Sequence, residues 1–412
     1  MKHRTRLALL GIAILALLAA GATLAADRAR PAPPPEPAPW DLRALSQPPA
    51  VEWLERTGKV HRLLYEAEPY KGRKTRVYAL YASPLTLGNG GGEGNKYPAV
   101  VLVHGGGGHA FPQWAELYAK RGYAAIAMDL AGNIGEGSKA TRLPDGGPPQ
   151  DDQTKFRLAD LPDKDQWTYH AVAGVILAHS LLRGFKEVDA ERTGVVGISW
   201  GGYLVCLAAA VDGRFKAAVP MYGCGFLHEN SAWAGSQFKY MSPEWTAKWV
   251  RLWDPSSYVG AAAMPMFFVN GSNDQYYPLD SYAKTYALVK APKNIRIEIN
   301  MPHGHRFDQK EILMFIDQCL KGEPPLPTVA PVSLAGDQIV AQVESRTKLV
   351  SAELHYTTGP HKENKGRPWV TRPLAVEGNQ LKGEKPPAEA TAWFVTVKDD
   401  RGAMVSSAPV VR

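Results

Sequence analysis

A strand-like run, a serine between glycines and a helix-like run follow one another directly in the middle of this chain. Residues 193–196 read TGVV, residues 197–202 read GISWGG, and residues 203–209 read YLVCLAA. Glycines on both sides leave room for a tight, strained turn that would raise the Ser199 hydroxyl above the edge of a sheet. Because Gly and Ser are common, the position between strand and helix is what makes the pattern informative. Ser199 is therefore predicted to be a nucleophile.

Strand-like and helix-like runs alternate on both sides of this turn. Such alternation predicts a mainly parallel sheet with helices on both faces, which is an α/β fold. The predicted strands are residues 99–103, 124–128, 194–197, 216–220, 266–269 and 295–299, and the predicted helices are 114–121, 167–182, 281–289 and 310–320. Residues 60–66 and 75–81 predict a preceding pair of strands joined by a Lys-Gly turn.

A nucleophilic serine needs a base that removes its proton and a carboxylate that orients the base. Asp274 follows the strand at 266–269 closely and is the predicted acid, in preference to Asp280, which lies past Pro278 on a predicted helix. Two histidines, His303 and His305, follow the strand at 295–299. The residues alone leave the choice between these two bases open.

Backbone N–H groups would have to stabilise the negative oxygen that forms when the serine attacks. The N–H of Trp200 directly follows the nucleophile at a helix start, and the loop at 104–108 (HGGGG) follows the strand at 99–103. We predict an oxyanion hole from Trp200 and Gly106, with Gly105 as the next candidate. A phosphate-binding loop is disfavoured because the Lys-Ser/Thr ending and the Gly-x-Gly-x-x-Gly pattern are both missing.

Composition and charge argue against several other classes of protein. The formal net charge is +7, of which the N-terminal Lys2, Arg4 and Arg6 supply three, and the remainder is too small to predict a nucleic-acid partner. No histidine or acid spacing matches a zinc site, so no metal and no cofactor are predicted. The three cysteines form no disulfide framework; a Cys206–Cys224 pair is an alternative to free thiols, which are favoured.

Changes in composition divide the chain into five segments. A basic start, an apolar run and small residues predict a signal peptide over 1–26, with an uncleaved anchor as the alternative, and a Pro-rich linker over 27–39. The α/β catalytic domain is predicted over 40–321. A second Pro-rich linker at 322–331 precedes residues 332–412, whose short alternating runs predict a small all-β, sandwich-like domain. The signal predicts a secreted or periplasmic protein with no membrane partner after cleavage.

Two long segments, 131–164 and 224–258, interrupt the alternation, and the second is rich in aromatic residues. Long loops on such a sheet often form substrate walls. Trp233 and Tyr240 are therefore candidate substrate-binding residues that would stack on sugar rings, with packing of the insertion as the alternative. Nothing in the sequence indicates an oligomeric state.

Taken together, residues 97–320 resemble secreted α/β-hydrolases of the acetylxylan esterase and dienelactone hydrolase-like group. The matching segments are 104–108 (HGGGG), 197–202 (GISWGG), 222–225 (YGCG), 253–255 (WDP), 271–274 (GSND) and 301–305 (MPHGH). The serine and acid segments also resemble prolyl-oligopeptidase-type hydrolases, and Asn273-Asp274 resembles PhoPQ-activated pathogenicity-related proteins. The resemblance implies the α/β-hydrolase fold.

The resemblance also implies the roles of nucleophile for Ser199, acid for Asp274 and base for one of the two histidines. Residues 304–307 (GHRF) resemble the Gly-His-x-Phe that often carries the base in this superfamily, so His305 is favoured and His303 is the alternative. The expected function is a secreted serine hydrolase that cleaves carboxylic esters, such as the acetyl esters of a polysaccharide. The alternatives are a prolyl-oligopeptidase-like peptidase, disfavoured because the chain lacks a propeller-sized N-terminal domain, and a non-catalytic carbohydrate-binding protein on a hydrolase scaffold.

Overall fold

The structure of the protein is a computed structural model that describes residues 38–90, 94–157, 161–360 and 365–412. The predicted signal at 1–26 and the linker residues 27–37 lie outside the described residues. The described residues belong to one compact unit. Across the described ranges, no helix has both the length and the apolar character that a bilayer crossing requires.

The helices and strands lie close to the predicted positions. The helices are α1 (Leu42–Leu45), α2 (Pro112–Lys120), α3 (Asp152–Phe156), α4 (Trp167–Gly184), α5 (Trp200–Val211), α6 (Leu227–Asn230), α7 (Pro243–Trp253), α8 (Leu279–Leu288) and α9 (Lys310–Lys321). The strands up to α9 are β1 (Val51–Glu55), β2 (His61–Tyr70), β3 (Arg73–Ala82), β4 (Tyr97–Val103), β5 (Ala124–Met128), β6 (Asn133–Ile134), β7 (Thr141–Arg142), β8 (Val188–Ile198), β9 (Ala217–Met221), β10 (Met266–Gly271) and β11 (Lys293–Glu298).

The central sheet has the strand order β1-β2-β3-β5-β4-β8-β9-β10-β11. The first three strands pair antiparallel, as does β3 with β5, whereas every pair from β5 to β11 is parallel. Every residue of β5, β9 and β10 is buried, as parallel strands are when helices cover both faces. The predicted mainly parallel sheet is confirmed, and its carboxyl-terminal edge receives the loops after β4, β8, β10 and β11.

Only strands follow α9 within the described residues. They are β12 (Thr328–Val329), β13 (Ser333–Ala335), β14 (Gln338–Glu344), β15 (Leu349–Thr357), β16 (Val370–Glu377), β17 (Gln380–Glu384), β18 (Ala392–Asp399), β19 (Met404–Ser406) and β20 (Val410–Val411). All their pairings are antiparallel, and β16 pairs with both β15 and β17. The predicted all-β C-terminal region is therefore present.

This C-terminal region is joined directly to the central sheet. Strand β19 pairs antiparallel with β11, with Ser406 opposite Ile295. The Ser406 hydroxyl also accepts a hydrogen bond from the Ile297 N–H at 3.0 Å. The all-β region thus extends the sheet beside β11, the strand after which both candidate bases lie.

Packing accounts for most of the aromatic residues in the second insertion. Helix α7 begins where the Ser242 hydroxyl accepts a hydrogen bond from the Trp245 N–H at 3.1 Å. Trp249 and Trp253 are fully buried, and their indole N–H groups donate to the Lys155 carbonyl and the Gln166 side chain, each at 2.7 Å. These residues hold the insertion on the body. Cys206 and Cys224 are buried free thiols.

Candidate active site

Ser199 lies on a strained turn between β8 and α5. Its backbone has φ +60° and ψ −120°, a conformation that L-residues rarely adopt. A Cβ on Gly197 would collide with the carbonyl of Gly201, and one on Gly201 would collide with the carbonyl of Val103 at the end of β4. The serine is also held by a 2.8 Å hydrogen bond from its N–H to the Met221 carbonyl of β9. The glycines are thus required by close backbone contacts on both sides of the serine.

Ser199, His303 and Asp274 form one chain of hydrogen bonds. The Ser199 Oγ lies 2.9 Å from Nε2 of His303, and Nδ1 of His303 lies 2.7 Å from Oδ2 of Asp274. The three side chains follow β8, β11 and β10, whose carboxyl ends share one edge of the sheet. This is the arrangement in which an imidazole takes the serine proton while a carboxylate holds the ring in the correct tautomer.

Asp274 is rigidly placed and shielded from solvent. Its side chain is fully buried, and its Oδ1 accepts hydrogen bonds from the N–H groups of Tyr276 at 2.8 Å and Tyr277 at 3.0 Å. Both carboxylate oxygens are therefore occupied, one by the backbone and one by His303. The competing carboxylate, Asp280, lies in α8 and pairs instead with the Asn230 amide at 3.2 Å.

The preference for His305 as the base is corrected by this geometry. Nε2 of His305 accepts a hydrogen bond from the Gly105 N–H at 3.1 Å, so this ring faces the glycine loop rather than the serine. His303 is the alternative that the structure places between serine and acid. Its ring packs against Tyr222, with 4.3 Å between the centroids, and the Tyr222 hydroxyl donates to the Pro302 carbonyl at 3.0 Å.

The glycine loop after β4 is fixed by two histidines. Nε2 of His104 accepts from the Leu130 N–H at 2.9 Å, so its Nδ1 carries the proton and donates to the Gly105 carbonyl at 2.7 Å. His305 accepts from the N–H of the same glycine. Burial lowers the pKa of His104 to about 4, and burial followed by nearby histidines lowers the pKa of His305 to about 4. Both rings are therefore neutral near pH 7, as their hydrogen bonds require.

The hydrogen bonds of the glycine loop distinguish among the three predicted oxyanion donors. The N–H of Gly105 is engaged by His305, which argues against its use as a donor to substrate. Gly106 is exposed, and a Cβ there would lie 2.9 Å from Cδ1 of Trp200, so only glycine lets the loop lie so close to that ring. The N–H of Trp200 begins α5 and has no intrahelical acceptor. Trp200 and Gly106 therefore remain the predicted oxyanion donors.

Aromatic rings form a wall beside the serine. The buried indole of Trp200 lies 4.6 Å from Trp233 and 5.8 Å from Phe156, and Trp233 lies 5.3 Å from Tyr277 and 6.0 Å from Tyr276, centroid to centroid. Trp233, a predicted substrate-binding residue, therefore stands near the nucleophile.

The other aromatic candidate, Tyr240, lies farther out. It is 73% exposed and lines an open groove of about 740 Å³ with Phe156 and Trp245. Phe156 contacts the Trp200 ring on one side and this groove on the other. The groove that Tyr240 lines thus reaches the Trp200 ring through Phe156, and the role of Tyr240 in binding stays a prediction.

A buried lysine adds positive charge behind this wall. Lys155 is only 6% exposed, and its Nζ lies 4.6 Å from the Trp200 ring centroid and 5.6 Å from that of Trp167. Its paired carboxylate, on Asp152, is 3.8 Å away, and burial lowers the Lys155 pKa to about 8. The lysine thus carries a positive charge over most of the physiological pH range and packs on the ring that follows the nucleophile.

Three tyrosines that shape the site were not singled out as site residues from the sequence. Tyr222, Tyr276 and Tyr277 surround the His303 ring, with centroids 4.3, 4.8 and 6.2 Å away. Two signals were available: Tyr222 begins the segment 222–225 that carries the family resemblance, and Tyr276 and Tyr277 lie two and three residues after the acid. Among the residues that the structure describes, no group of three or more His, Cys, Asp or Glu side chains is placed to hold a metal ion.

Comparison with known proteins places this site in a family. The model of the dienelactone hydrolase family matches residues 89–313, a range that includes the nucleophile, the acid and both histidines. YuxL of Bacillus subtilis (strain 168), described as an uncharacterized peptidase, is 23% identical over 210 residues. That match covers 47% of this chain and 28% of YuxL, so this chain spans little more than a quarter of that relative's length.

Two solved structures have similar folds. The acetyl xylan esterase from Paenibacillus sp. R4 superposes with a TM-score of 0.56 at 20% identity, covering 68% of this chain and 92% of that one. Acetyl xylan esterase 1 from Thermoanaerobacterium sp. JW/SL YS485 gives 0.51 at 20% identity, covering 70% and 96%. At such identities the likeness shows the fold alone, and the α/β-hydrolase fold predicted from the sequence is confirmed.

Proposed function

Because this chain belongs to the dienelactone hydrolase family, we propose that it is a serine hydrolase that cleaves carboxylic esters through an acyl-enzyme on Ser199. The observation that carries this proposal is the continuous hydrogen-bond chain from Ser199 Oγ through His303 to Asp274. A serine on a strained turn with a base and a buried acid in line is an arrangement suited to acyl transfer.

The first half of the reaction transfers the acyl group to the enzyme. His303 Nε2 takes the Ser199 proton as Oγ bonds to the ester carbon, and the carbonyl electrons move to the carbonyl oxygen. The N–H groups of Trp200 and Gly106 would stabilise that oxyanion, each donor lowering the barrier by about 3 kcal/mol. When the intermediate collapses, the bond to the alcohol oxygen breaks and His303 passes the proton to the departing alcohol.

The second half of the reaction releases the acid. Water gives a proton to His303 as it attacks the acyl carbon, and the bond to Ser199 Oγ then breaks while Oγ recovers a proton from His303. Asp274 keeps the His303 ring oriented and stabilises its positive form in both halves. No side chain beyond these three is needed for proton transfer.

The surroundings of the serine favour a short acyl group on a polar alcohol. Trp233 packs between the rings of Trp200, which directly follows the nucleophile, and Tyr277, and we expect this cluster to limit the size of the acyl group. Beyond the glycine loop lies a pocket of about 400 Å³ lined by Asn133, Gln150 and other polar residues. We therefore propose an acetylated saccharide as the substrate, in keeping with the substrate that the two structurally similar esterases are named for.

A peptidase is the second candidate, since the curated relative YuxL is described as a peptidase. Activity on p-nitrophenyl acetate and butyrate, a feruloyl ester, acetylated xylan and an aminoacyl-Pro-nitroanilide distinguishes the two. The wild-type enzyme should cleave acetyl esters rapidly and release acetate from the polysaccharide, and Ser199→Ala should do neither. Turnover of the nitroanilide alone would reverse the order of the two candidates. Saccharide binding unaffected by Ser199→Ala, without any turnover, would instead indicate a binding protein.

We also propose that the enzyme acts outside the cytoplasm, because residues 1–26 have the pattern of a signal peptide. The mature N-terminus identified by mass spectrometry is expected after Ala25 or Ala26. An intact N-terminus on protein recovered from the cytoplasmic fraction would contradict this location without affecting the proposed chemistry.

A further inference from the structure

Tyr277 is a fully buried tyrosine beside the nucleophile, and both its backbone N–H and its backbone carbonyl are hydrogen-bonded. Its N–H donates to the Asp274 carboxylate at 3.0 Å, and its carbonyl accepts from the Asn270 amide at 2.9 Å. Its ring is stacked on His303, with the planes 15° apart and 6.2 Å between the centroids. The same loop that places the acid therefore places this ring.

The hydroxyl of Tyr277 is buried and makes no hydrogen bond of ordinary geometry within the described part of the chain. The Ser199 side chain is nevertheless close enough to act on its pKa, although burial dominates and raises that pKa well above the usual value. Tyr277 is thus a neutral phenol whose O–H donor is unused and lies next to Ser199. A buried donor without a partner is destabilising. At Tyr277 this donor lies beside a serine oxygen that can accept from it.

We propose that Tyr277 is a further catalytic residue, whose hydroxyl donates a hydrogen bond to Ser199 Oγ. This inference rests on the proposed function. The Oγ donates its own proton to His303, which leaves its lone pairs available to accept from the phenol. The bond holds Oγ in the orientation that faces His303 before attack. In the second half of the reaction it stabilises the negative charge that develops on Oγ as the acyl bond breaks.

The two neighbouring tyrosines do not have a buried hydroxyl whose donor is unused. The Tyr222 hydroxyl donates to the Pro302 carbonyl at 3.0 Å, and Tyr276 is 37% exposed. That the Tyr277 hydroxyl does not yet make an ordinary hydrogen bond to Ser199 Oγ agrees with this role, because catalytic hydrogen bonds are often long or poorly aligned until the substrate binds. Tyr277 is therefore the tyrosine around His303 with both the burial and the free donor that the role requires.

Tyr277→Phe tests the proposal because it removes the hydroxyl and keeps the ring. Tyr118→Phe is a matched control: Tyr118 lies in α2, is fully buried, and also has a hydroxyl without a hydrogen-bond partner in the described residues. Each variant removes one unsatisfied buried group, so the melting temperature of each should be unchanged or higher. Activity on p-nitrophenyl acetate and the rate of labelling by a fluorophosphonate are measured for both.

Tyr277→Phe should lower kcat by about 10- to 100-fold with little change in KM, and the fluorophosphonate labelling rate should fall in parallel. Tyr118→Phe should retain the wild-type kcat. A Tyr277→Phe enzyme that keeps at least half of the wild-type kcat would overturn the inference. A loss of kcat accompanied by a lower melting temperature would also overturn it, since the role would then be structural. Absence of labelling and turnover in the wild-type protein would instead reject the proposed function.

Discussion

Replacing Asp274 by Asn changes one atom of the proposed acid and reverses the tautomer of the base. The new amide keeps its oxygen toward the N–H groups of Tyr276 and Tyr277, because turning it over would set its NH₂ against two donors. The amide NH₂ then occupies the position of Oδ2, 2.7 Å from Nδ1 of His303. Nδ1 must accept this bond, so the ring proton moves to Nε2, which faces Ser199 at 2.9 Å. A protonated Nε2 cannot remove the serine proton.

The expected loss in kcat is about 10⁴-fold, as for the same change in other serine triads. This corresponds to about 5.5 kcal/mol of barrier, since each factor of ten is about 1.4 kcal/mol. The melting temperature should change little because the two backbone hydrogen bonds to residue 274 are kept. Initial rates on p-nitrophenyl acetate, with the melting temperature as a check on folding, provide the assay.

Asp280→Asn is the matched control for this prediction. Asp280 is a carboxylate on the neighbouring α8 that pairs with Asn230 and takes no part in the chain of hydrogen bonds to the serine. This variant should keep nearly wild-type kcat. If Asp274→Asn kept more than a tenth of the activity, or if Asp280→Asn lost it instead, the assignment of the acid would be refuted.

Two further predictions concern the histidines. His303→Ala should lower kcat at least about 10³-fold. His305→Ala should lower kcat by only about 10- to 100-fold, because it frees the Gly105 N–H and loosens the glycine loop. Equal losses of kcat in the two variants would contradict this division of roles. The free energy of unfolding should fall as the pH is lowered, because burial lowers the pKa of His104 and of His170 to about 4. In the unfolded protein these rings bind a proton near pH 6.5, and in the folded protein only near pH 4. The free energy of unfolding that these two neutral rings contribute is complete above about pH 6.5 and is lost as the pH falls toward 4, at up to about 1.4 kcal/mol per pH unit for each ring. Urea midpoints at pH 7, 6 and 5 measure this, and a midpoint that stays constant or rises toward pH 5 would show that these histidines are not held neutral.

The sequence was sufficient to predict where Ser199 and Asp274 lie relative to the strands of the sheet. Ser199 and Asp274 follow β8 and β10 within a few residues, so their positions were set once the strands were identified. The glycines around the serine were equally informative, because Gly197 and Gly201 are required by contacts that any such turn makes. Short connections leave little freedom, and the predictions for these residues were specific.

The choice of base depended on a longer irregular loop and was wrong in its preference. Eleven residues separate β11 from α9, and His303 and His305 lie two apart, so both would point to the same side of an extended chain. What decides between them is tertiary: Tyr222 binds the Pro302 carbonyl, while Gly105 donates to His305. Neither contact follows from the local sequence.

The aromatic insertion was also only partly predictable. Its tryptophans suggested a sugar-binding surface, with packing as the alternative, and the composition did not separate the two. In the structure Trp249 and Trp253 are buried in the body, whereas Trp233 lies beside the Trp200 ring. Tryptophan serves in cores and in binding surfaces alike, so its position in the folded chain was needed to tell them apart.

The central claim, that Ser199 is a nucleophile activated by His303, is tested most directly by identifying the residue that a fluorophosphonate modifies. Mass spectrometry of peptides from the labelled wild-type protein should show the phosphonyl group on Ser199 alone. Labelling should be absent in Ser199→Ala and greatly slowed in His303→Ala. A label on another residue, or labelling that persists in Ser199→Ala, would contradict the account.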